Sequence, residues 1–264
     1  KRSISAGMVS RRCFSVKLRP DLGNTSFSLP LDAERFDFTT LSARERYKLM
    51  IGTIIPRPIA LVTTVDEHGG FNAAPFSFFN CIGVSPPMFM IACSPKTGPK
   101  SGGGNGEVKD TVANLRDCPE MVVHIVDYEL RNKMNACALD FDRDVNEAEI
   151  AGFTTAPSVV VTPPRITDCR VQLESKLIDI LEMGTLPYYM ILGEVVHFHM
   201  DDAIINERLH IDPGALDALG RMAGNGGYTR ITDKFEMPFL HPPGSVPPEE
   251  AVERAREFAK TDRD

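Results

Sequence analysis

Residues 50–94 constrain the fold of this chain more than any other stretch, because three extended runs follow one another there with turn chemistry between them. A proline-bracketed segment, Ile55-Pro56-Arg57-Pro58, feeds an apolar, β-branched run over 59–65. Asp66-Glu67-His68-Gly69-Gly70 then supplies a turn, since glycine accepts positive φ without steric cost. A second run covers 71–79 and a third covers 88–93. Three strands so closely spaced predict a meander inside a barrel. Pro75 sits within the second run and cannot donate to a ladder, so part of that run is an edge, a bulge or a binding loop.

The second run is also unusual in content. Asn72-Ala73-Ala74-Pro75-Phe76-Ser77 is too small and too polar for an ordinary core strand. Small side chains let a flat ligand approach the backbone, and Asn72 and Ser77 can hydrogen-bond the edge of a heterocycle. Further on, a cation and a hydroxyl, Lys109 and Thr111, stand where a helix is predicted to begin. That placement suits a phosphate, and it equally suits a solvated lysine and a plain helix cap. The glycine run 101–106 fits neither GxGxxG nor GxxxxGK and reads as a surface insertion.

Four blocks, PRPIALVTT (56–64), NAAPFSFFN (72–80), SPPMFMIACS (85–94) and KDTVANL (109–115), resemble in order the flavin reductase-like family, an FMN-binding split β-barrel. The likeness runs over about residues 46–235. It implies a mainly β fold with α (α+β), a Greek-key split barrel with peripheral helices. It implies FMN as cofactor, NADH or NADPH as electron donor, and hydride passing through FMN N5. Catalytic side chains are not required, since the flavin carries the redox chemistry, and no Ser-His-Asp or paired-carboxylate constellation is read. The isoalloxazine is expected against 72–79, which places Asn72, Ala73, Ala74, Pro75, Phe76, Ser77 and Phe78 in the site. Thr63 and Asn80, within the same blocks, are counted with them. Arg57, Ser94, Lys109 and Thr111 are expected at the ribityl phosphate. RMAGNGGY (221–228) resembles a family block near the flavin, with Ala223 and an extra glycine as departures; it adds Arg221 and Tyr228. The resemblance also implies a homodimer whose second subunit covers the cofactor. A non-catalytic FMN-binding or electron-carrier protein would carry the same blocks.

The 264 residues are 42% hydrophobic and 25% charged, enough for a sizeable core. A formal net charge of -7 argues against a nucleic-acid surface. No apolar run reaches the ~20 residues of a membrane-spanning helix. Six cysteines show no CxxC pair and no metal spacing, and read as reduced thiols. Residues 1–20 carry basic side chains and no acid, the composition of a mitochondrial transit peptide or of a disordered basic arm; location stays open between cytoplasm and mitochondrion. Residues 21–45 read as an extended lead-in, 46–235 as the flavin reductase-like domain, and 236–264 as a proline-rich C-terminal arm with a short helix over 249–260. Covering pieces for the flavin are sought in RMAGNGGY and in that arm, with Phe235, Phe239 and Phe258.

Between the blocks, a helix is predicted over 110–117, capped by Asp110 or Thr111, with Val112 and Leu115 on one face. His124 interrupts an apolar strand and reads as a satisfied core histidine. Asp127 is expected to cap a helix with Leu130, Met134 and Ala138 on one stripe. Residues 140–149 read as a solvated acidic loop with a short helix, and 158–162 as a β-branched strand. Alternation over 169–182 and 189–200 predicts two more strands. The second carries His197 and His199 on one face, read as exposed strand residues, a metal site lacking a third ligand. Asp212-Pro213 opens a short helix expected to end at Gly220.

Overall fold

A computed structural model describes residues 36–96, 107–185, 187–224, 226–237 and 248–259. The basic arm 1–20, the lead-in as far as residue 35, the glycine run 101–106, Phe239 and the Phe258 side chain lie outside the described residues.

The chain divides after Arg46 into two units. Helix α1 (Ala43–Thr53) spans that division, and its first turn begins at a capping box: the Ser42 amide donates to Glu45 Oε2 at 2.8 Å and the Glu45 amide donates to Ser42 Oγ at 3.3 Å.

The second unit is built on strands β1 (Arg57–Pro58), β2 (Ala60–Val65), β3 (Phe71–Phe76), β4 (Phe79–Val84) and β5 (Pro87–Cys93). Helix α2 (Asp110–Asp117), strand β6 (Glu120–Ile125), and short helices α3 (Arg131–Ala136) and α4 (Glu147–Ile150) follow. Next come β7 (Thr155–Ala156), β8 (Arg165–Ile166), β9 (Val171–Met183), β10 (Tyr188–Met200), α5 (Pro213–Leu216), β11 (Leu219–Arg221), β12 (Tyr228–Arg230) and α6 (Pro248–Phe258). Seven strands form one antiparallel sheet in the order β3-β2-β6-β9-β10-β5-β4.

This order corrects the three-strand meander. β2 and β3 form a hairpin, closed by Asp66, whose Oδ1 accepts the amides of His68 (2.9 Å) and Gly70 (2.7 Å), with Gly69 at φ 82. β4, which has no clear alternation in sequence, forms a second hairpin with β5. β3 and β4 therefore stand at opposite edges of the sheet. The chain crosses between them at Ser77-Phe78, and the Ala92 amide donates to the Phe78 carbonyl at 2.7 Å where the split edges approach.

Alternation gives the sheet two apolar faces. Ala60, Val62, Phe76, Phe89, Ile91, Met121, Val123 and Ile191 fill the barrel, plugged at one end by Val112 and Leu115 of α2. Ile59, Leu61, Ala73 and Leu219 pack on the other face beneath Met134, Cys137, Ala148 and Ile166. Each fully buried aliphatic side chain contributes roughly 1.5–3 kcal/mol. Gly193 allows the barrel to close against Phe89, since a Cβ there would lie 2.4 Å from its ring.

Several local expectations change. The N-cap of α2 is Lys109, through its backbone, and not Asp110 or Thr111. Ala138 is exposed, so the α3 stripe is Leu130 and Met134 alone. α5 ends at Asp217 in the left-handed region (φ 47), and Gly220 lies within β11. Residues 158–162 are not a strand. The amides of Val159, Val160 and Val161 donate to the Glu174 carboxylate at 2.8, 2.6 and 3.2 Å, which removes them from any ladder. Glu174, on β9, is wholly buried and also meets His199 Nε2 at 2.6 Å. Cys81, Cys93, Cys118, Cys137 and Cys169 are free thiols, and burial pushes Cys93 up to about 11 and Cys137 up to about 12.

His124 is fully buried and satisfied at both nitrogens. The Ile166 amide donates to Nε2 at 2.8 Å, so Nδ1 carries the proton and donates to the Leu61 carbonyl at 2.9 Å. Burial lowers its pKa from 6.5 to about 4. Burial alone would raise the Glu174 carboxyl, but the three amides and His199 bring it from 4.5 down to about 2. In both cases the unfolded chain takes up a proton before the folded chain does. Stability is therefore expected to fall as pH drops from 6.5 toward 4 through His124, and further between 4.5 and 2 through Glu174. Denaturation midpoints measured across this range check it; a midpoint that stays level from about pH 7 to about pH 4 would contradict it.

Candidate functional site

The edge strand β3 organises the site. In its pairing with β2, the Ala73 amide points off the sheet, where Glu147 Oε2 accepts it at 2.9 Å. Pro75 is two residues on and occupies the next outward position, so its missing N–H removes no ladder bond. An edge is thereby closed by a carboxylate at one position and a proline at the next.

Asn72 ties this edge to α2. Its Nδ2 donates to Thr111 Oγ1 at 3.1 Å and to Thr64 Oγ1 at 3.3 Å, and Asn114 Nδ2 donates to the same Thr64 oxygen at 3.2 Å. Arg143 extends the network to Asn114 Oδ1 at 3.2 Å. Asn72, Ala74, Pro75, Lys109 and Thr111, distant in sequence, thus line one pocket of about 90 Å³. Lys109 has no carboxylate partner among the described residues.

The same pocket contains residues that the sequence reading missed. Lys96 pairs with Asp110 at 2.8 Å, and Phe141 and Glu147 complete the wall. Burial raises the Glu147 carboxyl, against the lowering effect of the Ala73 amide. The i+3 pattern Asn146-x-x-Glu149, which caps α4 at 3.1 Å, was the available sign that this acidic stretch is ordered.

Other expected site residues lie elsewhere. Arg57 is buried and donates to the carbonyls of Ile51 (2.7 Å), Ile54 (3.1 Å) and Met222 (3.0 Å), with Ser77 Oγ at 3.4 Å. It satisfies orphan carbonyls at the end of α1. Burial lowers its pKa, against the raising effect of Tyr47 and with a smaller lowering from the Arg221 charge. Thr63 is fully buried and donates to the Pro164 carbonyl at 2.7 Å, and the Ala73 and Phe76 side chains face the two cores. Phe78 stacks on Tyr188 at 6.3 Å, Asn80 is exposed and accepts the Cys81 amide, and Ser94 is half-buried just beyond β5. Arg221 and Tyr228 pack on each other at 4.5 Å and line a different cleft. His199 is held by Glu174 instead of standing exposed, and no cluster of three or more metal-binding side chains occurs among the described residues.

The flavin reductase like domain matches residues 51–220, well over half of the chain. The chain belongs to the flavin reductase-like family. It is 36% identical to an uncharacterised protein of Halalkalibacterium halodurans over 75% of this chain and 92% of the other. Among solved structures, it is similar to nitrilotriacetate monooxygenase component B from Bacillus cereus, with a TM-score of 0.72 and 29% identity over 78% of this chain and 98% of that one. It is also similar to the 2-nitrobenzoate 2-nitroreductase NbaA of Pseudomonas fluorescens, with a TM-score of 0.66 and 32% identity over 81% and 98%. The fold is thus the family's split barrel, as its resemblance implied, and the chain is a flavin-related redox protein.

Proposed function

We propose that this chain is an FMN-dependent oxidoreductase that takes its electrons from NADH or NADPH. One observation carries the reading: Lys109 and Thr111, at the start of α2, share a pocket with the small edge-strand residues Ala74 and Pro75 in a chain of this family. A cation without an acidic partner among the described residues and a hydroxyl fit a phosphate, and a strand edge without bulky side chains fits a flat ring. In this reading Lys109 and Thr111 would hold the phosphate, with Ala74 and Pro75 beside the ring system. Asn72 fixes Thr111 in place. A bound flavin supplies hydride acceptance and donation at N5, and the chain supplies binding, orientation and exclusion of water.

An electron carrier would have the same pocket. Anaerobic mixing of the FMN-loaded protein with NADH and with NADPH separates the two readings. Rapid loss of the oxidised flavin band followed by turnover with added acceptor supports a reductase. No bleaching with either nucleotide would leave the carrier reading.

The homodimer belongs to the same proposal. Val84 (84% exposed), Ile82 and Phe198 are exposed beside an apolar groove of about 610 Å³ between the β4–β5 hairpin and β10. Apolar surface of this kind is costly in water unless a partner covers it. Twofold pairing would give two equivalent flavin sites. Light scattering is expected to give a dimer at micromolar concentration, and Val84→Asp is expected to lower both dimer and flavin content. A stable monomer at full FMN occupancy would contradict the shared site.

A further inference from the structure

A second cleft, of about 320 Å³, lies beside α3 and gathers three arginines in a chain of net charge -7. Arg131, Arg221 and Arg230 line it, and no carboxylate does among the described residues. Arg230 is neutralised by Asp217, through Nη2 at 2.5 Å and Nε at 3.0 Å. Arg131 and Arg221 instead donate to carbonyls, Tyr128 at 2.7 Å and Gly227 at 2.9 Å, and have no carboxylate partner among the described residues. Aromatic rings fix all three: Tyr128 is flanked by Arg131 at 3.9 Å and Arg230 at 4.3 Å, and Arg221 lies 4.5 Å from the Tyr228 ring. Guanidinium forks already held in place lose little freedom when they take a phosphate. Asn132 and Asn135 add exposed amides at the rim, and buried Met134 and Leu219 form an apolar floor.

Position narrows the ligand. Met134 and Asn135 face this cleft, while Cys137 and Ala138 face the pocket of Lys109 and Pro75. One residue, Ala136, separates Asn135 from Cys137, so neighbouring residues at the C-terminal end of α3 line the two concavities. The volume is at the lower end for a small-molecule site and matches a mononucleotide-sized group more closely than a whole dinucleotide. We propose that this cleft binds the diphosphate and adenosine half of the nicotinamide dinucleotide donor, leaving the other half to extend past α3 toward the β3 pocket. This rests on the oxidoreductase reading above and assigns that reading's donor a place.

ADP-ribose is the probe, since it carries the diphosphate and cannot deliver a hydride. It is titrated calorimetrically into the full-length protein, with and without FMN, and tested as an inhibitor against NADH. Binding is expected, competitive with NADH. Arg131→Gln and Arg221→Gln are each expected to weaken it by about tenfold, and to raise the KM for NADH alike with kcat changed less than about twofold. Asn135→Asp, an exposed rim change that tolerates folding, is expected to weaken it by about fivefold through charge repulsion. Equal ADP-ribose affinity in all variants, or no binding to the parent, would overturn the proposal. So would variants that lose FMN affinity instead, which would reassign the cleft to the flavin phosphate. If the protein never oxidises NADH yet binds ADP-ribose through these arginines, the nucleotide cleft stands and the reductase reading fails. If NADH is oxidised without ADP-ribose binding, the cleft alone is lost.

Discussion

Lys109→Glu is expected to weaken FMN binding by roughly a hundredfold, with the fold intact. A charge-assisted contact contributes roughly 1.5–3 kcal/mol, and reversal adds repulsion, so a loss near 2.7 kcal/mol, or two decades, follows. The fold is insensitive to the change for two reasons. Lys109 caps α2 through its carbonyl, which accepts the Val112 and Ala113 amides at 2.9 and 3.1 Å whatever its side chain. An acidic side chain at a helix start is also favourable to the helix. Lys109→Ala is expected to show the smaller, about tenfold, effect of lost attraction alone. Fluorescence titration of flavin into the stripped protein measures both. Unchanged affinity in both variants would remove Lys109 from the site.

Glu174→Gln is expected to lower unfolding stability by about 3 kcal/mol. The wholly buried carboxylate accepts three amides from 159–161 and meets His199. An amide has one acceptor oxygen where the carboxylate has two, and it turns an N–H₂ donor toward amide donors. The loop over 159–161 would lose its anchor together with the charge-assisted bonds. Chemical denaturation compares this variant with Lys176→Gln, an exposed change on the same strand expected to stay within about 0.5 kcal/mol of the parent. A Glu174→Gln loss below about 1 kcal/mol would mean that the loop is held by other contacts.

What the sequence discloses here is what local chemistry decides. The Asp66–Gly70 turn, the bounds of α2 and the satisfied state of His124 follow from residues that carry their own signal, such as a glycine pair or a helical stripe. The order of the four family blocks discloses the family. Pairing across long separations is not disclosed. β4 is not among the strands expected from the sequence, because its partner β5 and the barrel, not its own alternation, make it a strand. Residues 158–162 have strand-forming side chains, yet the amides of 159–161 are claimed by the carboxylate of Glu174 on the next long strand. Arg57 has the charge expected of a phosphate ligand, and only the fold reveals that helix-end carbonyls take its donors. Glu147 looks solvated in an acidic stretch, while the edge of β3 buries it. The arginine cleft is assembled from residues 128–135 and 219–230, which no spacing pattern connects.

The flavin content of the protein tests the central claim most directly. Protein reconstituted with FMN and passed through gel filtration is expected to retain one flavin per chain, identified as FMN after release. That flavin is expected to be reduced by NADH or NADPH. A colourless protein that takes up no FMN at concentrations of about 100 μM, or one whose bound flavin neither nucleotide reduces, would contradict an FMN-dependent oxidoreductase.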